Sequence, residues 1–588
     1  MRPQRSNNEY HRSSTLSVEH NVPLPMRDGT TLYADVYRPS GGGRYPVLLQ
    51  RIPYGKHKPR YRCMYLDPIR AVNRGYGVVI QDVRGRHMSE GEFYPYRHEP
   101  QDGYDTVEWC AAQPWCDGNV GMFGISYHGA TQWLATLAQP PALKAIVPGV
   151  TSDTYYDSWT YLGGVFQLYW ISGWAAGFVL DNLGRRADDT PSAIAALRQW
   201  RRDPLRMSRH LPLHTMPALR GLADYYYDWL DHPTYDAYWQ ALSPKEHFHE
   251  VTVPALNIGG WFDGFIRGTL RCYEGMRARG ATDMARRQQH LLVGPWLHGP
   301  LPPATAGQRY FGAAGAAEAI DLQGMHLTWF DHWLKGENNG VDTDAPVYIF
   351  VMGDNVWRHE SVWPPPGAQG QAYFLHSEGR ANTLPDDGWL SLDPPRSGES
   401  PDRYLYNPLD PAPTLGGAHL SGLPGIFETG VQEQRPVAAR ADVLVYTSAP
   451  LERDTEVTGH VSLTLWAVTS APDTDWTAML ADVHPNGHAY NVCDGILRAS
   501  YRESLEQTSP LQPGEAYPYH LDLGPTSMVF RQGHRMRLTV SSSNFPAYAR
   551  NLNSGGCHHE AVEPCPALQT VLHDPEHPSC LVLPMVPR

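Results

Sequence analysis

Three residues of this chain carry side chains that could act together as nucleophile, base and orienting acid: Ser126, His298 and Asp263. Ser126 lies in Gly121-Met122-Phe123-Gly124-Ile125-Ser126-Tyr127-His128-Gly129-Ala130, an apolar run entering a glycine-bracketed turn that opens a helix. Glycines at 124 and 129 fit a strained strand-to-helix elbow, where a side chain would collide with the neighbouring strand or helix. Such an elbow lifts Oγ above a sheet and leaves amides at the helix start to bind an oxyanion. The spacing is Gly-x-Ser-x-x-Gly, with His128 where the more usual Gly-x-Ser-x-Gly has its second glycine. In a chain with 54 glycines, a serine in such a turn is by itself more often structural.

Asp263 follows Leu256-Asn257-Ile258-Gly259-Gly260-Trp261-Phe262, and His298 follows Leu291-Leu292-Val293-Gly294-Pro295-Trp296-Leu297. Alone, the first is an ordinary turn former and the second an ordinary packed histidine. Together with Ser126 they place three complementary roles at three expected strand ends, in the order Ser, Asp, His. That is the chain order of α/β-hydrolases and differs from those of the chymotrypsin and subtilisin groups.

The elements that must position them follow from the apolar runs. An opening hairpin is expected over 22–32, turning at Asp28-Gly29. Buried strands are expected at Val47-Leu48-Leu49, Val78-Val79-Ile80, 120–123, Ala145-Ile146-Val147, Leu256-Asn257-Ile258 and Leu291-Leu292-Val293, alternating with helical stretches as in a largely parallel sheet. Ligands gather outside the carboxyl ends of such strands. Between 149 and 245 the alternation gives way to aromatic-rich helical sequence, read as an inserted cap. From about Ala345 short alternating segments such as Val461-Ser462-Leu463-Thr464-Leu465 and Met536-Arg537-Leu538-Thr539-Val540 follow among Pro/Gly-rich loops, and point to a jelly-roll β-sandwich.

The 588 residues, with 48 basic and 61 acidic side chains, carry a net charge of −13 without long single-sign runs. Neither nucleic acid nor a membrane is therefore an expected partner. The polar start, Met1-Arg2-Pro3-Gln4-Arg5-Ser6-Asn7-Asn8, lacks the apolar core of a signal peptide, so a cytoplasmic location is expected. Eight scattered cysteines with no Cys-x-x-Cys pair suit reduced thiols. His247-Phe248-His249-Glu250 and Cys557-His558-His559-Glu560 have no second cluster at ligand spacing, so no metal or other cofactor is expected.

Further segments extend the pattern: Met26-Arg27-Asp28-Gly29, Arg51-Ile52-Pro53-Tyr54-Gly55-Lys56, Gln81-Asp82-Val83-Arg84-Gly85 with Ser89-Glu90-Gly91, Gly260-Trp261-Phe262-Asp263-Gly264, Gly294-Pro295-Trp296-Leu297-His298, Phe330-Asp331-His332-Trp333-Leu334-Lys335-Gly336 and Ser541-Ser542-Ser543-Asn544-Phe545-Pro546. With the serine motif, this set resembles the cocaine esterase and α-amino-acid ester hydrolase family, the CocE/NonD-type serine hydrolases related to Xaa-Pro dipeptidyl-peptidases. In that family the extra residue between serine and glycine is the rule. The resemblance implies an α/β-hydrolase domain (1–148 and 246–344), a helical cap (149–245) and a C-terminal jelly-roll β-sandwich (345–588).

It also implies roles: Ser126 as nucleophile, His298 as base and then acid, Asp263 as its orienting carboxylate, and an oxyanion hole from the Tyr54 hydroxyl and the Tyr127 amide. Trp159, Phe166, Trp170 and Trp174 of the cap, with Phe265, are candidate walls of a pocket for an apolar acyl group. Asp82 and Arg84 suit an internal ion pair better than catalysis, and His128 a packed residue better than a second base. Asp224, Asp228, Asp231 and Asp236 suit a solvated acidic helix face better than an ammonium site. The expected substrate is a small ester or activated amide with a bulky or aromatic acyl group. α-Amino-acid esters, β-lactam side-chain amides and Xaa-Pro peptides are alternatives, and a non-catalytic jelly-roll binding protein is a remote one. Self-association is left open.

Overall fold

The computed structural model describes residues 16–588 except 64, 183–190, 217–218, 384–386, 421 and 423–426. The polar stretch at 1–8 lies outside the described residues. Every apolar run expected to be a strand is one. Six of them, with the opening hairpin and two strands not expected here, form a ten-stranded sheet from β1 (Leu16–Pro25), β2 (Thr31–Pro39), β3 (Tyr45–Ile52), β4 (Gly77–Asp82), β5 (Cys116–Ile125), β6 (Leu143–Gly149), β7 (Ala255–Phe262), β8 (Gln289–Leu297), β9 (Val347–Val351) and β10 (Val356–Glu360), ordered β1-β2-β4-β3-β5-β6-β7-β8-β9-β10. From β4 to β9 all neighbours are parallel, while β1, β2 and β10 add antiparallel edges. Strands such as β4 and β7 are buried along their whole length, as expected where helices cover both faces. The covering helices include α1 (Glu99–Ala111) and α2 (Tyr127–Leu137).

Two of these strands run further than their apolar cores. Strand β7 continues through Trp261 and Phe262, and β8 through Trp296 and Leu297. Gly260 pairs with Gly294 and Phe262 with Leu297, so β8 takes one more residue than β7 over this interval, a bulge. The next residues on the two strands are Asp263 and His298, which the register sets side by side. Indole hydrogen bonds anchor both strand ends: Trp261 Nε1 donates to Phe350 O and Trp296 Nε1 to Gly315 O, each at 2.7 Å. Glycine is required at 260, because a Cβ there would lie 2.4 Å from the backbone oxygen of Trp296.

Between β6 and β7 the chain forms a short ladder (Tyr161–Leu162 with Val165–Phe166), then α3 (Leu168–Asn182), a helix at Pro191–Arg202 and α4 (Tyr225–Asp231). Its buried aromatics share one core with Tyr96 and Tyr127, so the insertion packs onto the start of α2. After β7 comes α5 (Ile266–Arg279), and α6 (Leu322–Lys335) ends at Gly336 in the left-handed conformation that favours glycine.

Composition changes near residue 345, but the sheet does not end there, because β9 and β10 still belong to it. The second, larger sheet has eleven strands, nearly all antiparallel, with Thr455–Thr469 and Ala516–Phe530 paired along almost their whole length. Buried and exposed positions alternate along Thr455–Thr469, as in a half-buried strand. Its core is continuous with Trp261, Phe262 and Val293 of the first sheet. Arg267, on α5, bridges the halves by donating to Asp522 Oδ2 (3.1 Å) and to Asp494 O (2.6 Å). No helix of the described residues is long and apolar enough to cross a membrane.

The bulge generates a prediction. Gly260→Ala puts a methyl group against main chain that no rotamer change can relieve, so stability should fall by about 1–3 kcal/mol. Because the bulge also sets Asp263 beside His298, any activity that uses this pair should fall further than the loss of folded protein accounts for. Denaturant unfolding beside steady-state rates measures both, and a variant with wild-type values in each would show that this close approach sets neither.

Candidate active site

Ser126 has φ 60° and ψ −126°, a conformation costly for a residue with a Cβ. Its amide donates to Gly149 O (2.9 Å), and its carbonyl accepts from the amides of Gly129 and Ala130 (2.9 and 3.0 Å), which pins the turn between β6 and α2. The glycines on either side are there for space. A Cβ on Gly124 would meet His128 Cβ at 2.6 Å, and one on Gly129 would meet Thr151 Cβ at 2.7 Å. Each is close enough that something must move.

The elbow, β7 and β8 bring three side chains into one relay. Ser126 Oγ is 3.0 Å from His298 Nε2, and His298 Nδ1 is 2.6 Å from Asp263 Oδ2. The other carboxylate oxygen of the fully buried Asp263 accepts the Phe265 amide at 2.7 Å, which fixes the carboxylate plane. With Nδ1–H donated to Asp263, the neutral imidazole presents a lone pair at Nε2 toward the hydroxyl, the tautomer a general base needs.

Tyr54 follows β3 on the same side of the sheet. Its ring stacks between Tyr61 (4.9 Å) and Phe178 (5.4 Å), and its hydroxyl oxygen accepts from Trp174 Nε1 at 3.1 Å. An indole is a donor only, so this bond leaves the phenolic proton free to be given elsewhere. Burial raises the phenol above its ordinary pKa, against weaker opposing hydrogen bonds from Trp174 and Ser126, so the proton is retained. The Tyr127 side chain is committed away from the serine: its hydroxyl donates to Glu99 Oε1 (2.9 Å) and accepts from the Tyr96 amide (3.1 Å). Glu99 is held by the buried Arg51 at 2.7 Å. The Tyr127 amide is the first of α2, which has no earlier turn of its own to bond to.

Of the aromatic candidates, Phe265 and Trp170 stand nearest the base, with ring centroids 5.4 and 6.4 Å from the His298 ring. Trp159 is a layer further back, stacked on Phe265 at 4.0 Å. Trp174 packs edge-on against Phe178 (4.4 Å) and reaches Tyr54, a partnership no sequence signal marks across 120 positions. Phe166 is a correction to the expected pocket. It closes the short ladder before α3, packs on Tyr161 and Tyr226, and lines a separate cavity between the cap and the second sheet.

The residues read as structural behave so. Asp82 accepts the Lys56 amide (2.8 Å), and Arg84 grips Asp102 with two bonds (2.9 and 2.6 Å) and also reaches Asp28. His128 is fully buried beside Gln50, and desolvation, helped by His298, drives its pKa down to about 3, so it packs as a neutral ring. Three cap carboxylates bond within the cap, Asp224 to the Gly221 amide, Asp231 to His214 and Asp236 to His232, while Asp228 accepts from Tyr94 outside it. All eight cysteines are free.

Known proteins resemble this chain over nearly its whole length. The family model described as X-Pro dipeptidyl-peptidase (S15 family) matches residues 28–300, and that of the X-Pro dipeptidyl-peptidase C-terminal non-catalytic domain matches 339–582. The cocaine esterase of Rhodococcus sp. (strain MB1 Bresler) is 40% identical over 97% of this chain and 99% of its own. The chain belongs to the cocaine esterase family of serine hydrolases. Two solved structures superpose over the whole chain at a TM-score of 0.81: an α-amino acid ester hydrolase (25% identity, 99% of that chain covered) and an aminopeptidase from a marine sediment Thaumarchaeota archaeon (26%, 98%). Like its relatives, the protein is an enzyme of the serine hydrolase class, an α/β-hydrolase-type domain followed by a β-rich C-terminal domain.

The Trp174–Tyr54 bond can be tested within that class. Tyr54→Phe should cut turnover roughly 10²- to 10³-fold, with a much smaller change in KM, as expected on losing a donor to the developing oxyanion. Trp174→Phe keeps much of the packing and removes one neutral hydrogen bond, a loss of about 0.5–1.5 kcal/mol, or roughly two- to tenfold in turnover. In the Tyr54→Phe background the Trp174 change should add almost nothing, and additive losses in the double variant would show that the two side chains act separately.

Proposed function

We propose that this enzyme hydrolyses carboxylic esters with a bulky or aromatic acyl group through an acyl-enzyme on Ser126. The observation that carries the proposal is the unbroken chain from Ser126 Oγ through His298 to the buried Asp263, at 3.0 and 2.6 Å. In the acylation step Oγ forms a bond to the ester carbonyl carbon while its proton passes to His298 Nε2. The Tyr54 hydroxyl and the Tyr127 amide donate to the resulting oxyanion. Collapse breaks the bond to the alcohol oxygen, which takes the proton back from His298. Water then repeats the sequence on the acyl-enzyme and releases the acid. Asp263 orients the imidazole and stabilises the imidazolium.

The acyl preference rests on Phe265 and Trp170, whose rings flank the base with Trp159 behind. An offset or edge-on aromatic contact favours a planar acyl group by about 0.5–1.5 kcal/mol beyond the area it buries. α-Amino-acid esters, side-chain amides and Xaa-Pro peptides require a carboxylate free to receive a substrate ammonium. The cap aspartates are already engaged with cap neighbours or Tyr94, and Glu99 with Arg51 and Tyr127.

Three measurements test the proposal. A fluorophosphonate probe should label the wild-type protein and fail to label Ser126→Ala, and Asp263→Asn should fold normally while turning over roughly 10⁴-fold more slowly. Labelling that survives Ser126→Ala would move the nucleophile elsewhere. In a panel of p-nitrophenyl esters, kcat/KM should be highest for benzoyl-type acyl groups and lower for acetyl and α-aminoacyl groups. A preference for α-aminoacyl esters or Xaa-Pro amides would replace the acyl assignment and leave the triad standing.

A further inference from the structure

Remote from the triad, the described residues bring a thiol, an imidazole and a carboxylate to one point: the ligand atoms of Cys557, His559 and Glu560 all lie within 4.8 Å of one another. In sequence this run has no second cluster at ligand spacing. The fold supplies closure locally, through a turn in which the Glu560 amide donates to Cys557 O at 3.2 Å. Cys557 Sγ is 3.1 Å from His559 Nε2 and 3.5 Å from Nδ1. An ion bound at ordinary zinc–sulfur and zinc–nitrogen lengths spaces those two donors at about 3.5 Å, so a slight opening of the turn suffices. His558 between them is turned away to Asp473, 2.8 Å distant.

The turn does not hang free. The His214 amide of the cap donates to His559 O at 3.1 Å, the two imidazoles are 5.7 Å apart between centroids, and His214 Nε2 lies 2.9 Å from Asp231 Oδ1. A carboxylate-backed histidine therefore stands beside the cluster, on a different part of the chain. Cys557 and His559 also line a cavity of about 530 Å³ between cap and second sheet, walled by Tyr161, Phe166, Leu230 and Tyr501. The mixed sulfur, nitrogen and oxygen set suits a borderline-soft cation such as Zn²⁺ rather than Ca²⁺ or Mg²⁺, which take oxygen donors.

One other group, Asp482, His484 and His534, has comparable spacing. Arg309 already lies 3.3 Å from His484 Nε2, and His534 Nδ1 is 2.8 Å from Asp482 Oδ1. A cation there would have to displace or face a guanidinium, so that cluster is a closed hydrogen-bonded network.

We propose that Cys557, His559 and Glu560 form a zinc-type site that fastens the C-terminal loop of the second sheet to the cap, with the fourth position open to the cavity and His214 beside it. Binding replaces the thiol proton, which leaves to solvent, and involves no oxidation or reduction. The full-length protein, metal-stripped and kept reduced, should take up one equivalent of Co²⁺ with a thiolate-to-cobalt charge-transfer band that Zn²⁺ bleaches, and Zn²⁺ should raise its melting temperature. Cys557→Ser should abolish the band, and His559→Asn and Glu560→Gln should each weaken binding roughly tenfold or more. Ester hydrolysis by each variant, measured without metal, checks that it is folded, and His534→Asn should bind as wild type does. The proposal is overturned by the absence of a band in the wild-type protein, by a band that persists in Cys557→Ser, or by binding lost only in His534→Asn.

Discussion

The backbone of Ser126 is the constraint on which the rest depends. A residue with a side chain is held at φ 60°, and nothing local favours it there. It stays because β5 ends against β6, because Gly149 O receives its amide, and because α2 begins at once and takes its carbonyl. Side chains at 124 and 129 would push strand and helix apart, so the two glycines are conditions of the turn. The cost of the strained serine is met by the surrounding sheet, whose central strands are buried along most of their length.

The second positioning device is the β8 bulge. A regular ladder would still end β7 and β8 near one another, but one extra residue on β8 sets Leu297 opposite Phe262, and the acid and base follow directly. The large second domain has a part here too. Arg267, four residues past Asp263, is tied to Asp522 and Asp494, and Trp261 and Phe262 are buried in a core continuous with the β-rich half. The three side chains thus lie at strand ends of one sheet, and the interior strand end that carries Asp263 is braced by the other.

Much of this was legible in the sequence. Runs such as Val78-Val79-Ile80 and Leu291-Leu292-Val293 mark strands because a parallel strand covered on both faces needs little else, and Asp263 and His298 are legible because they follow such runs. What escaped has a common cause. The Tyr54–Trp174 bond joins residues on different elements, and no local pattern encodes which aromatic of a helix faces inward. Phe166 was drawn into the acyl pocket by its neighbours in sequence, yet a ladder of two-residue strands aims it at Tyr226. The sheet outlasts the change in composition at 345 because β9 is short and apolar whereas β10 is a half-exposed edge, so the pair resembles the sandwich strands that follow.

The hydrogen bond from Trp174 to Tyr54 has a consequence for how such an enzyme can diversify. Insertions over a hydrolase sheet are usually the part free to drift, trading one substrate for another while the sheet keeps the chemistry. Here the inner face of α3 carries an indole that donates to the Tyr54 hydroxyl, so in the proposed mechanism the covering segment holds a share of the chemical machinery. On that reading, divergence toward new acyl groups is steered to positions such as Trp170 and Phe265, while the site of Trp174 is left with little room to explore.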